Sequence, residues 1–382
     1  MKFLQSKKIA VILIIILTIT SLAGVLIPQE AQNKGAYDLW TTTYPFLVPV
    51  VTFLGLHKVF GTPWFLILVL VFLINLAACT WGQINRLFRL WYGLRQNGQP
   101  LSKRFWAIFG NCFFHVGLVI IVMGGLLTLG YKMGGYVEIA EGETFVEKHE
   151  NYLAITEGLF FNEDHLGFQV MLNKQTRYFK ENGQLDYVTS RITVSDNGRE
   201  IVFPKVERGQ PITYRGITFY HFRSGFAPYI TIKDSGGQAL LEGYALFNSM
   251  WHNKKGEYSM DLAIAGTDLL LKAKFYPNAT SQYGMMVSKS SQALNPVIQA
   301  AVMKKGKLVG RIQFKPGQDA VIEGMTIGMG DIRYWTGYEV SRDPGAGVIF
   351  TGFLVSLGGI VISFTFKSRG REEEDYGHRI TA

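Results

Sequence analysis

The stretch 105–142, FWAIFGNCFFHVGLVIIVMGGLLTLGYKMGGYVEIAEG, leaves few folds open. From Phe105 to Tyr131 it carries no acidic or basic residue other than His115. It is also longer than the about 20 apolar residues that a bilayer-crossing helix needs. From Tyr131 to Glu138 apolar and polar residues begin to alternate, as on a half-buried strand. A chain that changes period within a few residues carries a membrane helix directly into a β-rich region.

Three other stretches meet the same length criterion, so the spans are expected at about 9–27, 64–82, 105–131 and 346–368. Lys2, Lys7 and Lys8 ahead of the first one resemble a secretion signal. The apolar run is long for such a signal, however, and Leu26-Ile27-Pro28 is no small-residue cleavage site, so it reads as a retained anchor.

The net charge of +9 separates by region: residues 132–343 carry +1 and the remainder carries +8. The basic excess therefore borders the apolar stretches, where it sets membrane orientation, and no basic face remains for nucleic acid. Arg86, Arg89, Arg95, Lys103 and Arg104 fall on one side with Lys2, Lys7, Lys8, Lys367, Arg369, Arg371 and Arg379, whereas loop 28–63 has only Lys34 and Lys58. This pattern predicts a multi-pass plasma (inner) membrane protein with both termini cytoplasmic and residues 132–345 outside. Residues 369–382, with the acidic run 372–375, read as a cytoplasmic tail without fixed structure.

The outer region reads as an antiparallel sandwich or barrel. Two alternating runs flank Asn197-Gly198, and the pattern recurs about Asn182-Gly183, the strongest short hairpin signal. Residues 213–222, 229–233, 272–276 and 307–314 also alternate, while 261–271 is ambiguous between helix and strand. The fold class is thus four transmembrane α-helices with a large extracytoplasmic, mostly β domain.

Cys79 and Cys112 are the two cysteines, both within predicted spans, so the outer region is built without disulfides. Cys112 stands three residues before His115, on the same helix face. The pair serves either as small packing residues or as thiols near a metal or cofactor. His115, some 15 Å into its span at 1.5 Å per residue, either hydrogen-bonds within the helix bundle or ligates a metal such as haem iron. Gly117, Gly124 and Gly125 leave room on that helix for another helix or a flat ligand, and Asn75 and Asn111 add polar groups. His57, just before the second span, is a weaker candidate at the outer interface. His149, His165, His221 and His252 lack ligand spacing and read as sheet or surface residues, and His378 lies in the tail. There is no Cys-x-x-Cys-His, glycine-rich phosphate loop, His-Glu-x-x-His or nucleophile elbow, so the chain is not itself a c-type cytochrome, and hydrolysis and nucleotide chemistry lose support.

Several motifs, in order along the chain, resemble the ResB family of cytochrome c biogenesis proteins (system II). They are Leu4-Gln-Ser-Lys-Lys-Ile-Ala10 leading to Ala23-Gly-Val-Leu-Ile-Pro-Gln29, then Leu54-Gly-Leu-His-Lys-Val-Phe60 with Trp64-Phe65, and Leu73-Ile-Asn-Leu-Ala-Ala-Cys79. His115-Val-Gly-Leu118, Pro211 through Gly216 to His221, and Thr336-Gly-Tyr-Glu-Val-Ser-Arg-Asp-Pro-Gly345 follow. The resemblance implies a non-catalytic subunit that pairs with a membrane protein of the ResC (CcsA) type. Together they move haem b, held in transit, across the membrane and present it to apocytochrome c; a thiol-reducing thioredoxin-like protein is a further partner. It also implies that His115 is an axial haem ligand. The tryptophan-rich haem segment belongs to the partner, and its absence here implies the unfused form. Tyr220-His221 stands where the family is expected to carry an aromatic residue followed by Gln, and Gly61-Thr62-Pro63 departs from a His-containing stretch. Two other readings stay open: a membrane-anchored scaffold that recruits apocytochrome or a thiol-reducing partner without touching haem, and a redox subunit using Cys79 and Cys112.

Overall fold

The computed structural model describes residues 6–30, 34–161, 165–249 and 258–380. Its helices are α1 (Lys7–Leu26), α2 (Lys34–Thr43), α3 (Val48–Leu54), α4 (Pro63–Gln96), α5 (Lys103–Tyr131) and α6 (Pro344–Ile380). Four of them, α1, α4, α5 and α6, are long and apolar enough to cross a membrane. The chain is a membrane protein with a large β region, as its hydrophobic periodicity predicts.

Two helices run beyond their apolar stretches. α4 continues through the basic segment to Gln96, and α6 continues to Ile380 where an unstructured tail was expected. Neither extension contains proline, and both are rich in Arg, Glu, Leu or Gln, which favour helix.

The chain divides into two compact units. One comprises residues 1–132, 156–161 and 343–382; the other comprises 133–155 and 162–342. In the first, α5 and α6 pack antiparallel along a glycine seam. Gly110, Gly117 and Gly124 recur every seven residues on α5, and Gly345, Gly352 and Gly359 do so on α6. A Cβ on Gly117 would stand 2.3 Å from Ser356 Oγ and 2.6 Å from the Gly352 carbonyl oxygen, and one on Gly359 would stand 2.6 Å from the Gly110 carbonyl oxygen. The backbones therefore touch directly, which only glycine permits. At the start of α6 the Asp343 carboxylate accepts from the Gly345 and Ala346 amides and from Thr128 Oγ1 on α5. It acts as an N-cap with proline in the first turn behind it. The far end of α5 is closed by 156–161: the amides of Gly158, Leu159 and Phe160 donate to the carbonyls of Lys132, Leu129 and Gly130. Carbonyls that a helix C-terminus leaves unpaired are satisfied there.

The second unit is antiparallel β. Its largest sheet has the order β3 (Ala154–Glu157), β1 (Met133–Ala140), β18 (Met325–Arg342), β8 (Ile217–Lys233), β7 (Ile212–Tyr214), with β17 (Ala320–Ile322) beside β18 and β9 (Ala239–Tyr244) beside β8. A second sheet orders β10 (Asn248–Ser249), β11 (Tyr258–Ala263), β12 (Leu269–Tyr276), β15 (Val297–Lys304) and β16 (Lys307–Phe314). A third orders β2 (Thr144–Val146), β4 (Gln169–Phe179), β5 (Leu185–Asp196) and β6 (Arg199–Glu207), and β13 (Ala279–Gln282) pairs with β14 (Met285–Ser288). The ambiguous stretch 261–271 is strand, turn and strand, spanning the β11–β12 hairpin. The β5–β6 turn has Asn197 at φ 49° and Gly198 at φ 79°, the two left-handed residues of a type I′ hairpin.

Phe226, Ile230 and Ile327 of the first sheet share one buried cluster with Phe275, Ile298, Val302 and Phe314 of the second, so these sheets pack face to face. Trp335 is buried at the middle of β18 and donates its indole N–H to the Phe247 carbonyl. Beside it the Arg177 guanidinium lies 4.2 Å from the Phe226 ring centroid and 4.3 Å from that of Tyr334, donating to the Gly225 carbonyl.

Candidate functional site

α5 begins at Ser102, whose hydroxyl caps the Phe105 amide, and continues unbroken through an apolar sequence. Its period decides where each side chain points. The seam toward α6 holds Gly110, Gly117 and Gly124; His115, two residues from Gly117, projects to the opposite face. The helix-or-ligand question raised by the glycines is therefore answered in part: Gly117 and Gly124 meet α6, while Gly125 faces open space.

His115 is half-buried. Its Nδ1 lies 2.8 Å from the carbonyl oxygen of Asn111, one turn earlier. A carbonyl oxygen can only accept, so in the neutral ring Nδ1 carries the proton and the lone pair resides on Nε2. Among the described residues Nε2 has no hydrogen-bond partner. A ring nitrogen fixed by a backbone carbonyl, with its opposite nitrogen open, is the arrangement in which imidazole binds a metal.

Cys79 and Cys112 are free thiols on α4 and α5, Cys112 buried and Cys79 half-buried. Asn75 of α4 is buried as well.

His57 lies in a 3₁₀ turn, Leu56–Gly61, and is 8% exposed. Its ring stacks on Tyr37 at 5.6 Å, its Nε2 lies 3.8 Å from the Glu30 carboxylate, and its buried Nδ1 has no partner among the described residues. Gln29 fixes this turn: its amide nitrogen donates to the carbonyls of Ile27 and Leu56, and its carbonyl accepts the Val59 amide. The sequence carried no local sign of that role, because the contacts join residues about 30 positions apart.

In the β unit, His149 is exposed and lies edge to face with His165 at 5.9 Å. His165 is not a surface residue. Its Nδ1 pairs with the fully buried Glu147 carboxylate, which also accepts from the Leu166 and Gly167 amides and the Tyr152 hydroxyl. His221, on β8, has both ring nitrogens buried, with no hydrogen-bond partner among the described residues. Burial, reinforced by the nearby Arg208 charge, pushes its pKa down from 6.5 to about 4. His252 lies outside the described residues.

A match to the ResB-like family covers residues 8–109 and 102–370, taking in both units. The chain belongs to the ResB-like family. Its ResB-like relatives include cytochrome c biogenesis protein CcsB of Trichormus variabilis, 24% identical over 410 residues that cover 94% of this chain and 83% of that protein. CcsB of Picosynechococcus is 23% identical over 97% of this chain and 84% of its own length. The chloroplastic cytochrome c biogenesis protein CCS1 of Arabidopsis thaliana is 25% identical over 63% of this chain and 40% of its own length. Within the ResB-like match, the first segment holds His57 and Cys79, and the second holds Cys112, His115 and His221.

Proposed function

We propose that this ResB-like chain is a membrane subunit of the cytochrome c maturation machinery, and that it holds haem in transit through the Nε2 of His115. The family match and the names of the relatives support the maturation role. The observation that carries the haem assignment is the His115 hydrogen bond: Nδ1–H is committed to the Asn111 carbonyl, which leaves the opposite lone pair for iron. On this reading one axial position belongs to His115, and the other belongs to a histidine of a ResC (CcsA)-type partner. The β unit positions that partner or the apocytochrome for haem delivery outside, with the termini inside.

The test is a visible spectrum of the detergent-purified chain, alone and co-purified with its partner, for wild type and His115→Ala. A Soret band that rises with the partner and falls in the variant, at unchanged protein level, supports the assignment. A band of equal height in the variant removes His115 from the path. No band in either preparation of folded protein favours the scaffold reading instead.

A further inference from the structure

Between Asp38 and Lys58 the chain carries no Lys, Arg, Asp or Glu, and most of its residues there are apolar. The stretch is nevertheless not a further span. Pro45 and Pro49 interrupt it, and α3 ends at Gly55, whose φ of 68° is the left-handed stop of a helix C-terminus. The helix itself is seven residues, about 10 Å at 1.5 Å per residue, a third of the roughly 30 Å of a bilayer's hydrocarbon core.

Its surface is apolar all the same. Phe53 is 88% exposed and Phe46, just ahead of the helix, 73%; Leu47, Val50 and Leu54 are exposed as well, and within α3 Val51 alone is buried. A contiguous apolar patch of this kind marks an interaction surface. Two contacts fix its level. Trp64, in the first turn of α4, donates its indole N–H to the Leu54 carbonyl at 3.1 Å. The 3₁₀ turn after α3 lies against the end of α1, where a Cβ on Gly24 would collide with Val59 and Phe60. α3 is thus pinned where α1 ends and α4 begins, the end of α1 that carries the exposed Val25 and Leu26. Ahead of it, α2 has the exposed Asp38 and a row of rings, Tyr37, Trp40 and Tyr44, with successive centroids 6.5 and 5.6 Å apart. Aromatic rings between charged and apolar residues are characteristic of a membrane–water interface.

We propose that residues 44–54 are a monotopic insert. α3 lies within the bilayer leaflet at which α1 ends and α4 begins, with lipid acyl chains against Phe46, Val50, Phe53 and Leu54 and the rings of α2 at headgroup level. Lipid is the occupant because the patch is joined to the ends of two spans whose exposed apolar side chains already face lipid, and because it presents no charged group for a protein partner to pair. The insert enlarges the footprint of the chain in that leaflet alone.

The experiment reconstitutes the full-length chain, in a Cys79→Ser, Cys112→Ser background, into nanodiscs of phosphatidylcholine and phosphatidylglycerol. A fluorescent dye is attached at Phe53→Cys, with Ile19→Cys on α1 as the lipid reference and Glu181→Cys in the β4–β5 turn as the water reference. Quenching is read with lipid brominated in its acyl chains and with aqueous iodide. Brominated lipid is expected to quench position 53 nearly as strongly as position 19 and several-fold more than position 181, and iodide to show the reverse order. Quenching of position 53 by iodide and not by brominated lipid overturns the insert. Quenching by neither also overturns it, because the patch is then covered by protein, whether a second copy of this chain or another subunit. Should Phe53→Cys fail to fold or to take the dye, Phe46→Cys decides by the same two readings.

Discussion

At the scale of the residue, His115 and His221 show one side chain placed in opposite electrical circumstances. Among the described residues, His115 gives one nitrogen to its own helix and keeps the other open, whereas His221 is desolvated with neither nitrogen bonded. The second case has a consequence for stability. In the unfolded chain His221 takes up its proton near pH 6.5, and in the folded β unit only near pH 4, so between those values the unfolded state binds more protons. Stability therefore rises with pH across this window and falls as pH drops from about 6.5 through about 4. Unfolding followed by the fluorescence of buried Trp335 should show wild type losing more stability than His221→Gln over that interval. Parallel curves for the two proteins would exclude His221 as the cause.

Among the elements, the α5–α6 pair is the one whose packing leaves least tolerance. A Cβ at Gly117 would press on Ser356 Oγ and on α6 backbone within 2.6 Å, while a Cβ at Gly125 meets nothing within 4 Å. Gly117→Val is expected to cost about 1–3 kcal/mol through overpacking, and Gly125→Val is expected to be near neutral. The buried thiol of Cys112, on the same helix, reports the difference in a Cys79→Ser background: its reaction with a thiol-reactive dye on heating should begin at lower temperature in Gly117→Val than in Gly125→Val. Equal onsets would mean that the two helices are not locked by this seam. The sequence made half of this legible. Glycines at seven-residue spacing are visible on both helices, but only three-dimensional pairing shows that Gly110 meets Gly359 and that Gly125 is left out. The same division runs through the β unit. Local signals, such as alternation and Asn-Gly turns, located the β4–β5 and β5–β6 hairpins, because a hairpin is specified by residues a few positions apart. The pairing of β1 with β18, Met133 opposite Arg342, joins residues more than 200 positions apart and left no local trace. His115 could be singled out for its cost in an apolar span, whereas Glu147 and Gln29 look like ordinary polar residues until their distant partners are known.

For the whole molecule, the decisive quantity is which face of the membrane each segment occupies. Among the described residues the structure supplies four helices able to cross a membrane, and the β unit contains no cysteine. The orientation we propose rests on the distribution of Lys and Arg: the α4–α5 connection sits among Arg86, Arg89, Arg95, Lys103 and Arg104, a cluster that the positive-inside rule assigns to the cytoplasmic side. On that proposal four crossings return the C-terminus to the side of the N-terminus and leave the β unit outside. Because Cys79 and Cys112 are the native thiols, a Cys79→Ser, Cys112→Ser background is free of them, and single cysteines can be placed at exposed turns. Glu181→Cys, in the β4–β5 turn, should react with a membrane-impermeant maleimide in intact cells. Gln99→Cys, between α4 and α5, should react only after permeabilisation. The reverse pattern would place the β unit in the cytoplasm, where it could not meet an apocytochrome outside, and the delivery role proposed for it would have to be abandoned together with the orientation.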